Sequence, residues 1–153
     1  MSNVKQGLII RPFRDDDQAA ARRLILEGLQ DHFTHLDETM NPDLDNIAGF
    51  YCRQGHDFIV AESAGQIIAT GALIRLNELS GRIARVSVAR RARRQGVGRS
   101  IVCHLIGLAR KRCYKKLVTE TNWDWVGAIS FYESLGFRSY GRDEESVHMS
   151  LSI

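Results

Sequence analysis

The sequence predicts a mixed α/β sheet with helices packed on it. Three observations carry this. Strand-like and helix-like apolar periodicities interleave in the order β-α-α-β-β-β-α-β-α-β-β. The length, 153 residues, suits one domain over 1–153 with one core. The balance of 44% hydrophobic and 25% charged residues is that of a chain able to fill a core and solvate its surface.

Taken in order, Leu8 to Phe13 alternates in part and reads as a first strand. Asp15, Asp16 and Asp17 offer an N-cap and negative charge at a helix start. Ala19, Ala20, Leu24, Ile25 and Leu29 follow at helical spacing, so a helix runs to about Leu29. Phe33 to Leu44 is irregular, and a second helix is expected over Leu44 to Arg53. Asp57 to Glu62 and Gln66 to Leu76 are strands joined at Ala64-Gly65 as a hairpin. Arg82 to Val88 is a further strand. Gly98 to Arg112 is an amphipathic helix, with Val97, Ile101, Val102, Leu105, Leu108 and Ala109 on one face. Lys116 to Thr121 is a buried-type strand, and Trp125 to Leu135 is a helix with Gly136 as its C-cap glycine. Phe137 to Tyr140 and Val147 to Leu151 close the sheet.

No apolar run approaches the roughly 20 residues that span a bilayer, and Met1 to Gly7 lacks an apolar signal core. A cytoplasmic chain with no membrane partner is expected. Three cysteines, Cys52, Cys103 and Cys113, form no close pair, which argues against a disulfide framework or thiolate zinc site. They are expected to be buried or half-buried free thiols. His32 and His35 beside Asp31, Asp37 and Glu38 read as a polar loop, and no metal is expected.

Charge is uneven. The first 80 residues hold 7 basic and 12 acidic side chains, the remainder 14 and 6, and seven arginines with no acid fall within 82–99. Such an excess attracts an anion. The segment from Val86 to Ser100 narrows the choice. A strand ends at Val88, a basic loop follows, and a helix begins near Gly98. The first turn of a helix presents unpartnered N–H groups with partial positive charge. Gly96 and Gly98 remove side chains that would keep a pyrophosphate from reaching them. Arg93, Arg94 and Arg99 add charge, and Ser100 adds a hydroxyl. No Gly-Lys-Ser/Thr follows, so this is not a nucleotide-triphosphate loop.

Arg93-x-x-Gly96-x-Gly98 resembles the Arg/Gln-x-x-Gly-x-Gly/Ala signature of the GNAT superfamily of N-acetyltransferases. Val86-Ser87-Val88 is similar to the strand that precedes it. Ala128-Ile129-Ser130-Phe131-Tyr132-Glu133-Ser134-Leu135-Gly136-Phe137 resembles the family's Ala-x-x-Phe-Tyr-x-x-x-Gly-Phe close. The resemblance covers Leu8 to Leu151. It implies a central, mostly antiparallel sheet of six to seven strands with helices on both faces, and a possible homodimer. It also implies acetyl-CoA (coenzyme A) as cofactor and direct attack of an amine, from a small molecule or peptide, on the thioester.

The resemblance implies that the pantetheine arm pairs with the backbone of Val86, Ser87 and Val88, and that an N–H near Val86 stabilises the oxyanion. It places the pyrophosphate on Arg93, Arg94, Gln95, Gly96, Val97, Gly98, Arg99 and Ser100. Tyr132 matches the family's acid for the departing thiolate. The base stays open among Glu120, Glu78, Asp124 and a relayed water, with Glu120 the best single residue. The family's asparagine falls three residues before the helix alanine, where Trp125 stands here. Asn122, six residues before Ala128, either reaches the cofactor or, with Asp124, caps the helix. Phe33 to Leu44 is expected to help form the acceptor pocket, its acids favouring a cationic amine. A nucleic-acid-binding module and a non-catalytic coenzyme A-binding protein are the competing readings. The first leaves the paired glycines and the Phe131-to-Phe137 segment without a reason, and nucleic acid is not expected as a partner.

Overall fold

The computed structural model describes residues 7–32 and 40–153. Among the described residues the strands are β1 Ile9–Pro12, β2 Asp57–Ser63, β3 Gln66–Arg75, β4 Ser80–Val88, β5 Lys116–Asn122, β6 Arg138–Arg142 and β7 Ser146–Ser152. They pair into one sheet in the order β1-β2-β3-β4-β5-β7-β6. Every pairing is antiparallel except β4 with β5. That pair is joined through the helix α3, Val97–Lys111, as a parallel crossover requires.

Strand alternation divides the core. Ile59, Ala61, Ile68, Leu73 and Ile83 face α3 and the later helix α4, Val126–Ser134, whose Tyr132 joins that cluster. Phe58, Val60 and Ala72 face α1, Gln18–Gln30, and α2, Ile47–Phe50. Helices therefore cover both faces. Gly71 lets α3 lie close, since a Cβ there would sit 2.6 Å from Ile101 Cγ2 and 3.1 Å from Leu105 Cδ1. Gly136 ends α4 at φ +97°. Phe137 N–H donates to Tyr132 O at 3.1 Å and Gly136 N–H to Glu133 O at 3.0 Å, the paired bonds of a left-handed helix terminus.

Three expectations are corrected. The second helix is a single α turn flanked by 3₁₀ turns at Pro42–Asp45 and Cys52–Gln54, because Gly49 and Asn46 interrupt helical propensity. Asp17 stands at the N-cap of α1, but its side chain makes no capping bond. Its buried carboxylate accepts from Arg14 N–H at 2.8 Å and from Arg11 at 2.8 and 2.9 Å, an ion pair outcompeting the helix amides. The three cysteines are free but exposed: Cys103 lies off the buried face of α3, and Cys52 and Cys113 lie in short turns. Among the described residues, no helix is long and apolar enough to cross a membrane.

β4 bends where the site lies. Its register against β3 shifts between Thr70 and Ala72, and Arg85 adopts φ +54°, a conformation costing a non-glycine residue about 1 kcal/mol or more. Two contacts hold it there. Thr70 Oγ1 donates to Arg85 O at 2.8 Å. The Arg85 guanidinium donates to both oxygens of Asp43, at 3.0 and 2.7 Å, and to Asn41 Oδ1 at 3.1 Å. The Tyr51 hydroxyl also donates to Asp43, at 2.5 Å.

This network predicts an acid-sensitive fold. Burial pushes the Asp43 carboxyl up, but Arg85 and Tyr51 outweigh it and hold the group below the usual carboxylate range. Asp17 behaves likewise, with Arg11 and the Arg14 amide outweighing burial. A depressed folded pKa means that the unfolded chain binds more protons. The stabilisation is complete above about pH 4, the unfolded carboxyl range, and is lost as pH falls through the lower folded values. Asp43→Asn should cost on the order of 2 kcal/mol at pH 7, less than a fully buried pair, and should flatten the acid limb. Denaturant melts from pH 7 to pH 2 read both effects.

Candidate active site

The parallel β4–β5 pairing stops early. Only Ser80, Gly81 and Arg82 of β4 are in register with Lys116, Leu117 and Val118 of β5, although both strands continue. Beyond this they splay, and the Thr119 hydroxyl, donating to Ile83 O at 3.0 Å, bridges the start of the gap. A cleft of about 850 Å³ runs through it, from the N-terminus of α3 past Val86 and Val88 to Tyr132 and Glu120.

Backbone direction along β4 follows from one bond. Ala89 N–H donates to Ile68 O of β3 at 2.8 Å. Alternation therefore turns the polar edges of Ser87 toward β3 and those of Val86 and Val88 toward the gap. Of the three strand residues predicted for the pantetheine, Val86 turns its backbone to the gap, and so does Val88, whose carbonyl accepts from Arg93 Nε at 3.0 Å. The Ser87 side chain lies against α1, its Oγ 3.5 Å from where a Gly28 Cβ would stand.

At the far end, α3 begins after Gly96 at φ +79°. Its first hydrogen bond at the N-terminus is Ser100 N–H to Gly96 O, 3.0 Å. The N–H groups of Gly96, Val97, Gly98 and Arg99 thus lack helical partners, and all four residues line the cleft. A Gly98 Cβ would stand 3.5 Å from Val88 Cγ2 and 3.6 Å from Phe131 Cζ, so glycine keeps a gap between those side chains open. These features fit a pyrophosphate with its attached pantetheine arm.

The predicted arginines divide. Arg94, at φ +61°, and Arg99 line the cleft. Arg93 also lines it but is tied down. Its Nη2 donates to Asp31 Oδ2 at 2.8 Å and its Nε to Val88 O at 3.0 Å. Arg90 pairs with the other oxygen of Asp31. The two guanidiniums, Arg90 more than Arg93, hold the Asp31 carboxyl below its usual range. Arg91 donates to Gln66. Gln95 is not among the cleft residues and donates to Arg91 O at 3.2 Å. The Ser100 hydroxyl turns back to Gly96 O at 3.1 Å. Asn122 lies at the end of β5, outside the cleft, and Trp125 rather than Asn122 or Asp124 is the residue at the N-cap of α4.

Tyr132 reaches the cleft from a packed ring. The ring meets Phe131 and Phe137 edge-on, with centroids 5.1 and 5.3 Å away. Burial pushes its phenol up to about 12, with a Thr119 hydrogen bond working the other way. The group is a neutral proton donor across the physiological range.

Glu120 opens onto the opposite side of the gap, half exposed. Arg82 Nη2 lies 3.5 Å from it and His148 Nδ1 3.3 Å. His148 Nε2 in turn lies 2.9 Å from Asp143. Glu78, in the β3–β4 connection, and Asp124, in the turn after β5, do not line the cleft. His35, Asp37 and Glu38 lie outside the described residues. Of the described acids expected to attract a cationic amine, Asp31 and Asp43 pair with arginines and Asp45 lies 3.5 Å from Arg22; most of Phe33 to Leu44, with Asp37 and Glu38, lies outside the described residues.

Sequence reasoning missed Arg82, Thr119 and His148. Their signals are weak singly: Thr119 is next to Glu120 in the chain, Arg82 is one of seven arginines in 82–99, and His148 is opposite Glu120 only through β5–β7 register.

The family model for the acetyltransferase (GNAT) domain matches residues 54–139. The chain is similar to N-acetyltransferase 8 of Rattus norvegicus, 34% identical over 113 residues, covering 70% of this chain and 51% of that protein. It thus spans about half the length of the curated relatives it matches. Its fold is similar to that of an acetyltransferase from Streptococcus agalactiae, with TM-score 0.87, 18% identity and coverage of 97% and 99%. It is also similar to that of the PaiA N-acetyltransferase from Thermoplasma acidophilum solved with coenzyme A, with TM-score 0.84, 13% identity and coverage of 95% and 99%. A family model spanning more than half of the chain, on a sheet splayed between β4 and β5, means that this protein belongs to the GNAT acetyltransferase family.

Proposed function

We propose that the protein transfers an acetyl group from acetyl-CoA to a primary amine by direct attack in a ternary complex. One observation carries this reading: a single cleft joins four unpartnered helix amides, the exposed edge of β4 and the Tyr132 hydroxyl. Acetyl-CoA would supply the activated carbonyl. The amides of Gly96, Val97, Gly98 and Arg99, with Arg94 and Arg99, would hold its pyrophosphate. Val86 N–H would donate to the carbonyl oxygen as charge develops there. The Tyr132 hydroxyl would protonate the departing sulfur. Glu120 would take the ammonium proton, with Arg82 and His148 fixing its carboxylate. Three free, exposed thiols suit the reducing cytoplasm. The pairing of Arg90 and Arg93 with Asp31 and of Arg91 with Gln66 favours an internal role for those arginines over nucleic-acid contact.

The test is turnover of acetyl-CoA against a panel of small amines, amino acids and peptide N-termini, read as thiol release. Acetylation of at least one amine is expected, and Glu120→Gln should lower kcat/KM for it by about 10²-fold or more. Binding of acetyl-CoA without turnover of any amine would favour the non-catalytic reading. An undiminished Glu120→Gln variant would transfer the base role to water.

A further inference from the structure

The strands that frame the cleft are joined at one end by parallel pairing, and at the other end two aromatic rings meet. The His32 and Trp125 ring centroids are 4.0 Å apart with planes 23° from parallel. His32 follows α1, which packs on one face of the sheet. Trp125 stands between β5 and α4, and α4 packs on the other face. A side chain at the end of α1 reaches the start of α4 only across the mouth of the gap. Both rings line the same cleft as Val86, Val88 and Tyr132. The residue before His32 is anchored as well, since Asp31 holds Arg90 and Arg93 of the phosphate loop.

We infer that His32 and Trp125 form a clasp that closes the mouth of the β4–β5 gap around the pantetheine arm of the donor. The inference rests on reading the cleft as the acetyl-CoA site. Four sides then enclose the arm: the β4 edge, β5, the parallel pairing at the base, and the stacked rings. The pantetheine amides meet the exposed edge of Val86 and the N–H of Val88, whose carbonyl Arg93 already holds, and its uncharged, methyl-bearing backbone meets the face of Trp125. Trp125 occupies the position where the family resemblance places an amide-bearing side chain, so an apolar clasp replaces a polar contact. A single stacked pair is worth a factor of about 2 to 12 in an equilibrium constant. The clasp therefore opens readily enough to admit the cofactor and then slows its escape.

Trp125 reports on itself once the second tryptophan is removed. Trp123 is exposed and lies under Arg142, outside the cleft, so Trp123→Phe isolates the Trp125 signal. In that background, saturating coenzyme A should change Trp125 emission. By surface plasmon resonance with immobilised protein, His32→Ala and Trp125→Ala should each raise the dissociation rate of coenzyme A by about 10-fold, the upper end of one stack. The melting temperature without ligand should move little. His32→Phe, which keeps a stackable ring, should retain slow dissociation; a merely structural role would not produce this pattern. Unchanged emission at saturation, or unchanged dissociation in both alanine variants, overturns the clasp alone, because coenzyme A still binds. No binding of coenzyme A to the parent protein at millimolar concentration overturns the clasp and the acetyl-CoA reading together.

Discussion

Tyr132→Phe should fold and bind acetyl-CoA as the parent protein does, and should lose about 10²–10⁴-fold in kcat. The ring carries the packing. It touches Phe131 and Phe137 edge-on, and phenylalanine preserves those contacts. The hydroxyl is the proposed acid, and it lies beside Thr119 in the cleft. Thr119 keeps its own bond to Ile83 O, so losing the phenol should cost only about 1 kcal/mol of stability. The loss should fall on kcat more than on KM, because the proton moves only as the sulfur departs. A second signature follows from the raised pKa. An acid must be protonated to act, and burial holds this phenol up to about 12. The parent protein's kcat should therefore show no alkaline limb from Tyr132 between pH 8 and pH 10. A Phe variant with full kcat would remove Tyr132 from the reaction and leave protonation of the sulfur to water.

Gly98→Glu should abolish acetyl-CoA binding while leaving the fold intact. Gly98 stands in the first turn of α3, its φ is not left-handed, and a Cβ there meets neighbours only at ordinary distances. A carboxylate near a helix N-terminus is itself stabilising, so the variant should melt no earlier than the parent without ligand. The same carboxylate would occupy the anion position before the free amides. Acetyl-CoA at 100 times its dissociation constant should add about 2.7 kcal/mol to the parent and nothing to the variant. Gly98→Ala should keep most of the response. Gly96→Glu is the less clean change, because Gly96 sits at φ +79° and any side chain there adds backbone strain. Normal binding by a well-folded Gly98→Glu protein would move the phosphate site elsewhere.

Much of this was legible in the chain order of the residues. The eleven strands and helices follow from apolar periods of two and of about 3.6 residues, which are local properties. Gly96, Gly98 and Gly136 mark conformations and approaches that a side chain would hinder. The segment proposed to hold the coenzyme is contiguous, from Val86 to Ser100, so its strand, charge and helix start can be read together. Tyr132 is tied to a contiguous motif in the same way.

What the folded sheet alone decided is everything that depends on distant segments meeting. The early end of the β4–β5 pairing makes a cleft that no periodicity encodes. Arg85 sits in a left-handed bulge because Asp43, 42 residues away in sequence, grips its side chain. Arg93 looked like one more phosphate ligand until Asp31, 62 residues away, came to lie against it. Glu120 gains His148 through strand register, and Trp125 gains His32 across the mouth of the gap. Each of these is an ion pair, a hydrogen bond or a ring contact whose strength falls off within a few ångströms. Apolar burial and local propensity dictated the elements, and their packing selected which side chains came within that range.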